Sequence, residues 1–202
     1  MKKFIAFEGH NGVGKSTIAQ KLAKRINGKY IYGVDTDSLE NGLKEKFIKD
    51  AFWYASALHF LAGCMECKRK IEQDNFNNIY IVDRSFWSTV AAHWDKKPED
   101  REMLIKIINY KKEFFIVPNI IFLLGASYDE CNIRINSKKN IEERKLDSLV
   151  NLEYYNLETN FYDWLINNKD NKTKIIFIDT NAKNIDEILD ICVCELKNNN
   201  II

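Results

Sequence analysis

Residues 3–17 read Lys-Phe-Ile-Ala-Phe-Glu-Gly-His-Asn-Gly-Val-Gly-Lys-Ser-Thr, and this stretch decides the fold. Lys3–Glu8 is a short apolar run of the kind that forms a strand. Gly9 to Ser16 then fit G-x-x-x-x-G-K-[ST], in the place this motif requires, after a strand and opening a helix. Its glycines let the backbone curl so that successive N–H groups converge on phosphate oxygens. A helix beginning near Lys15 adds the positive end of its dipole. Lys15 is the candidate to reach the β- and γ-phosphates of ATP, and Ser16 the candidate to coordinate Mg²⁺. Gly9, Asn11, Gly12, Val13, Gly14, Lys15, Ser16 and Thr17 are therefore the expected nucleotide contacts.

Outward from this loop, apolar β-branched runs alternate with helical periodicity. Strands are expected at 3–8, 30–34, 78–83, within 118–125 and at 173–179. Helices are expected at 16–26, 43–50, 52–74 and 185–196. The alternation predicts an α/β fold, a P-loop arrangement with a five-stranded parallel sheet covered by helices on both faces. Ligands of such sheets bind at the carboxyl ends of the strands. Glycine and proline are scarce and no stretch reads as a linker, so residues 1–202 are expected to form one domain.

Charge and composition exclude several classes. The formal net charge is +1, where binders of nucleic-acid backbones usually carry a strong basic excess. No apolar run approaches the roughly 20 residues that span a bilayer. The opening Met-Lys-Lys leads into a strand and a glycine-rich loop, not a secretory signal, and the expected location is cytoplasmic. Five cysteines, an odd number, argue against a disulfide framework. Cys64-x-x-Cys67 has metal or redox spacing but lacks the four ligands of a structural zinc site, so ordinary reduced thiols are expected. His10, His59 and His93 have no metal-ligand spacing.

The third predicted strand ends in Asp83, where a carboxylate can hold Mg²⁺ directly or through water. Its neighbour is Arg84. A guanidinium clamps phosphate and does not act as a base, which favours transfer to a bound acceptor over hydrolysis. Residues 134–147 interrupt helical periodicity and carry Arg134, Lys138, Lys139, Arg144 and Lys145 among acidic residues. A mobile cationic lid there would neutralise charge on a moving phosphoryl group, with Arg134 and Arg144 foremost. A solvated mixed-charge loop is the other reading.

The ordered motifs resemble those of the thymidylate kinase family and its relatives, the deoxynucleoside kinases. Phe7-Glu-Gly-His-Asn-Gly-Val-Gly-Lys-Ser-Thr17, Asp83-Arg-Ser-Phe-Trp-Ser-Thr-Val-Ala91, Pro118-Asn119 before the fourth strand, Arg134, and Ile178-Asp-Thr-Asn-Ala182 ahead of the last helix carry the likeness. The resemblance implies that Arg84 holds the acceptor phosphate and Phe60 stacks on its base. It implies that Asn11 faces its sugar and that Thr180–Ala182 lie against adenine. Ser88 and His93 fall in the segment that lines the acceptor pocket. A homodimer is also implied.

The likeness fails in places that bear on the acceptor. No arginine follows the second strand, which continues Tyr32-Gly-Val-Asp35-Thr-Asp37-Ser38. Cys64 stands where a second phosphate-binding arginine is expected, and His93 ends Ala91-Ala-His where the family has Ala-Tyr-Gln. Three readings follow: a kinase of a dTMP-like monophosphate, a deoxynucleoside or other small-molecule kinase, and an NTP-binding switch with no acceptor. In the second, Asp35 or Asp37 would be the general base; either residue could equally cap a helix.

Overall fold

The structure is a computed structural model and describes residues 2–35, 52–76, 78–94, 97–138, 151–168 and 173–202. Five strands, β1 (Lys3–Glu8), β2 (Lys29–Tyr32), β3 (Ile79–Asp83), β4 (Ile120–Gly125) and β5 (Lys174–Asp179), form one sheet in the order β2-β3-β1-β4-β5. Every pairing is parallel. The described helices are α1 (Lys15–Arg25), α2 (Trp53–Gln73), α3 (Phe86–Ala92), α4 (Pro98–Tyr110), α5 (Tyr128–Asn136), α6 (Leu152–Asn167) and α7 (Ile185–Asn198). The expected strands and the helices around α1, α2 and α7 are present within a few residues. The helix expected at 43–50 lies outside the described residues.

The central strands are apolar between their ends because both faces are covered. Ile5 and Phe7 of β1 pack with Ile18 and Leu22 of α1 and with Leu189 and Cys192 of α7. On the other face Ala6, Tyr80, Val82 and Ile121 meet Cys67 and Ile71 of α2. A further cluster joins Leu61 of α2, Phe86 and Val90 of α3, and Phe161 and Leu165 of α6. The buried positions of α1, Ile18, Ala19, Leu22 and Ala23, follow helical spacing, and Lys24 and Arg25 complement the dipole at its carboxyl end.

Strand order reverses beside β1. The chain leaves β1 toward β2 on one side, and leaves β3 toward β4 on the other. A crevice therefore opens between the carboxyl ends of β1 and β3. Glu8 and Gly9 emerge on one lip and Asp83 and Arg84 on the other, with Phe7 registered against Asp83.

The second lip is built under close constraint. Arg84 is a non-glycine residue at φ 70°, a left-handed conformation that needs support from its surroundings. Its N–H donates to the Phe7 carbonyl at 3.1 Å, and the Gly33 N–H donates to the Asp83 carbonyl at 2.9 Å. The space at Gly33 is already taken, since a Cβ there would stand 1.8 Å from the Arg84 carbonyl oxygen. That oxygen belongs to backbone, so relief requires the Arg84 turn to move. Gly33→Ala is expected to destabilise the fold by about 1–3 kcal/mol, read from the midpoint of urea unfolding. An unchanged midpoint would show that the turn yields freely.

Candidate active site

The phosphate-binding loop has the expected geometry. Gly9, Gly12 and Gly14 adopt φ of 132°, 87° and 97°. At Gly12 a Cβ would stand 2.5 Å from the Cys131 carbonyl oxygen, so the loop lies directly on α5. Gly14 precedes α1 with no side-chain cap, and the first turn of α1 contains no acidic residue. Its N–H groups are thus left for an anion. Lys15 is buried and donates to the carbonyls of Gly9 at 2.8 Å and His10 at 2.7 Å. Burial, with Arg84 nearby, lowers its pKa.

Helix α6 grips this loop from the side. The Tyr162 hydroxyl accepts from the Gly9 N–H at 3.2 Å. The His10 ring stacks on Tyr155 at 4.0 Å between centroids, and its Nε2 lies 3.1 Å from the Tyr155 carbonyl. A carbonyl only accepts, so Nε2 carries the proton and Nδ1 is a buried atom with no hydrogen-bond partner.

Beneath the second lip lies Glu8, a fully buried carboxylate. Its Oε1 accepts from the Ser85 N–H at 2.7 Å and the Ser85 hydroxyl at 2.6 Å, and its Oε2 accepts from the Ser88 hydroxyl. Burial raises its pKa despite these bonds. Ser85 also caps α3, accepting from the Trp87 N–H at 3.2 Å. The Arg84 guanidinium is held by the Asn11 side-chain oxygen and by the Ser88 hydroxyl at 3.3 Å. Asp83 accepts from the Tyr30 hydroxyl at 2.9 Å through Oδ2, while its buried Oδ1 has no hydrogen-bond partner.

These groups open into a cleft of about 1790 Å³, larger than the roughly 300–1,000 Å³ that one small ligand fills. The loop forms its floor. One end is walled by Arg134 of α5, by Lys138 just beyond it and by Lys183–Ile188 at the start of α7. That helix begins with a complete capping box between Asn184 and Glu187, and its first turn carries Asp186 and Glu187. The other end is lined by Ser56 and Phe60 of α2, Ser88 of α3 and His93 just beyond it. His93 is fixed there, Nδ1 donating to the Thr89 carbonyl at 2.7 Å and Nε2 standing 3.0 Å from the Ser56 hydroxyl.

The structure thus brings together most of the residues singled out in the sequence. Asn11–Thr17, Phe60, Asp83, Arg84, Ser88, His93 and Arg134 all line this cleft. Several of these residues also have positions or partners that the sequence did not announce. Asp35 lies in a separate groove with Cys67 and Lys70 and pairs with Lys70, so it does not face the acceptor end. Thr180 is buried, its hydroxyl donating to the Gly125 carbonyl at 2.9 Å, and the wall beyond it is made by Lys183–Ile188, not by Thr180 and the exposed Ala182. Gly9 sits behind the loop, held by Tyr162. Asn11 spends its oxygen on Arg84. Arg134 lines the cleft while bonding Glu130 at 2.8 Å, the Thr180 hydroxyl at 3.0 Å and the Thr180 carbonyl at 2.8 Å. Arg144, Asp37 and residues 139–147 of the expected lid lie outside the described residues.

Cys64 and Cys67 are buried, and burial pushes the Cys67 thiol up to about 12. Among the described residues no cluster of three or more His, Cys, Asp or Glu could hold a metal, and no helix is long and apolar enough to cross a membrane.

A phosphate-binding loop at a parallel-sheet crevice, opening into a cleft with two ends, defines a P-loop kinase. The chain belongs to the deoxynucleoside kinase family, whose sequence pattern its residues 5–193 match. It is similar to a probable thymidylate kinase of Methanococcus maripaludis, 28% identical over 93% of this chain and 92% of the relative. It is also similar to a thymidylate kinase of Aster yellows witches'-broom phytoplasma, 27% identical over 96% of each. Among solved structures, deoxyadenosine kinase of M. mycoides superposes with a TM-score of 0.74 at 18% identity, over 98% of this chain and all of that one. Thymidylate kinase of Candida albicans superposes at 0.68 with 20% identity, over 98% and 92%. The protein is a nucleoside or nucleotide kinase.

The buried imidazole gives this site a measurable signature. Burial lowers the His10 pKa from 6.5 to about 4. The unfolded chain therefore takes up this proton first, and stability falls as pH drops from about 6.5 toward 4, by on the order of 3 kcal/mol. In urea unfolding at a series of pH values, His10→Gln should flatten that part of the profile. Parallel profiles for the two proteins would show that His10 is not held neutral.

Proposed function

We propose that the protein transfers the γ-phosphate of Mg·ATP, in line and without a covalent enzyme intermediate, to a small nucleoside-type acceptor. The two-ended cleft centred on Lys15 carries this reading, because it has room for donor and acceptor with the phosphates meeting over the loop. The donor's phosphates lie on the loop and the start of α1, and its base lies toward Arg134 and Lys183–Ile188. The acceptor lies toward Phe60, Ser88 and His93, with Arg84 at the point of transfer. Catalysis comes from positioning and from charge neutralisation by Lys15 and Arg84.

Mg²⁺ fits the residues present. The buried Asp83 Oδ1 with no hydrogen-bond partner is a hard oxygen ligand at the cleft, and Ser16, exposed in the first turn of α1, lines the same cleft. Asp83 and Ser16 would hold the ion, which would offset charge between the β- and γ-phosphates. Arg144 and its neighbours as a closing lid, and a cytoplasmic homodimer, belong to the same proposal by family resemblance.

A dTMP-like monophosphate is supported by Arg84 and by the thymidylate kinases among the relatives. A nucleoside hydroxyl is favoured by a specific feature of the cleft: Arg84 is already shared with Asn11 and Ser88, and among the described residues no second cation lines the acceptor end. A coupled ADP-release screen with Mg·ATP, across the nucleosides and monophosphates of every common base, tests the function. Rapid acceptor-dependent ADP formation is expected. Lys15→Ala should reduce it by at least about 100-fold with the circular dichroism spectrum unchanged. ADP release that ignores every acceptor would instead mark an NTP-binding switch.

A further inference from the structure

Helix α6 presents to the cleft a carboxylate that the roles assigned so far leave unused. Glu158 is 5% exposed, and its Oε2 has no hydrogen-bond partner in the protein. It lines the cleft beside Tyr154 of its own helix, whose hydroxyl bonds it, and shares that wall with Asn11, Lys15 and Arg84. Arg84 and Lys15 are its principal charged neighbours, and the buried Glu8 is the like-charged one. Lys15 marks where the γ-phosphate arrives, and Arg84 marks the acceptor end. A group acting on both therefore stands where phosphate and acceptor meet.

The chemistry of that place is selective. A buried carboxylate oxygen without a donor is costly to maintain, and a ligand hydroxyl pointing at it would remove the cost. A phosphate dianion would instead add like charge. Of the two post-β2 carboxylates that could have served a hydroxyl, Asp35 is paired with Lys70 and lines a neighbouring groove, and Asp37 lies outside the described residues.

We propose that Glu158 is the general base of this kinase, taking the proton of an acceptor hydroxyl, so that the acceptor is a nucleoside. The inference rests on the phosphotransferase reading above. As the acceptor oxygen forms its bond to the γ-phosphorus, the bond from that phosphorus to the bridging oxygen breaks and ADP leaves with the electron pair. The hydroxyl proton passes to Glu158 Oε2 and then to water. Burial raises the Glu158 carboxyl above the usual carboxylate range, which suits it to hold that proton near neutrality.

The test compares wild type with Glu158→Gln, which keeps the shape of the buried side chain. Thymidine, the other common deoxynucleosides and their monophosphates serve as acceptors, with Mg·ATP affinity measured separately by calorimetry. The expected result is a fall in kcat of at least about 100-fold with nucleosides, unaltered Mg·ATP affinity, and partial recovery in Glu158→Asp. Nucleoside turnover within about threefold of wild type in Glu158→Gln, or a matching loss of Mg·ATP affinity, would overturn the proposal. So would complete loss in Asp37→Asn with Glu158→Gln active. Wild-type turnover of monophosphates but no nucleoside would reject the base assignment while leaving the phosphotransferase standing. Silence with every acceptor would reject both.

Discussion

The site depends on one buried carboxylate. Glu8 closes β1, lies under the crevice, and takes hydrogen bonds from Ser85 and Ser88 on the far lip. Hydrogen bonds to a charged group are among the stronger ones available to a protein. These fix the start of α3 against the strand that feeds the phosphate loop. The left-handed backbone of Arg84 stays in place because both neighbours are tied, Asp83 by sheet pairing and Ser85 by Glu8. Arg84 is thereby aimed across the crevice at Asn11. Loop and arginine, which come from opposite sides of the switch point, are held as one piece.

A second tie runs from α6. Tyr162 on the Gly9 N–H and Tyr155 stacked on His10 attach that helix to the back of the loop. The same helix carries Tyr154 and Glu158 into the cleft. Displacing α6 would therefore disturb the loop that cradles phosphate and the wall that faces the acceptor together.

The fold was largely legible in the sequence because its signals are local. The apolar runs are short, β-branched and separated by helical periods, and the glycine-rich loop stands after a strand. Asp83 and Arg84 were legible for the same reason, at the end of such a run. What escaped was tertiary. Glu8 reads as the last residue of a strand, and nothing nearby announces that Ser85 and Ser88 will fold over it. Glu158 lies among Tyr154, Phe161, Tyr162 and Leu165, spaced as one helical face; a carboxylate on that apolar stripe was the available signal. Asp35 read as a candidate base, and its partner Lys70, far along the chain, gave no local sign of the pairing. Arg134 was read as a lid residue from the break in periodicity after it and from family resemblance, and neither signal announced its partners Glu130, one turn back, and Thr180.

Two of the helices that begin at the cleft, α1 and α7, differ at their first turns. Helix α1 starts uncapped and without acidic residues, whereas α7 starts with its capping box closed and with Asp186 and Glu187 in place. Both have positive dipole ends, but only that of α1 remains attractive to an anion, since α7 is already neutralised by its own side chains. On the reading proposed above, a phosphate tail is drawn to the open start of α1, while the start of α7, its amides already held by its own side chains, offers no rival anchorage.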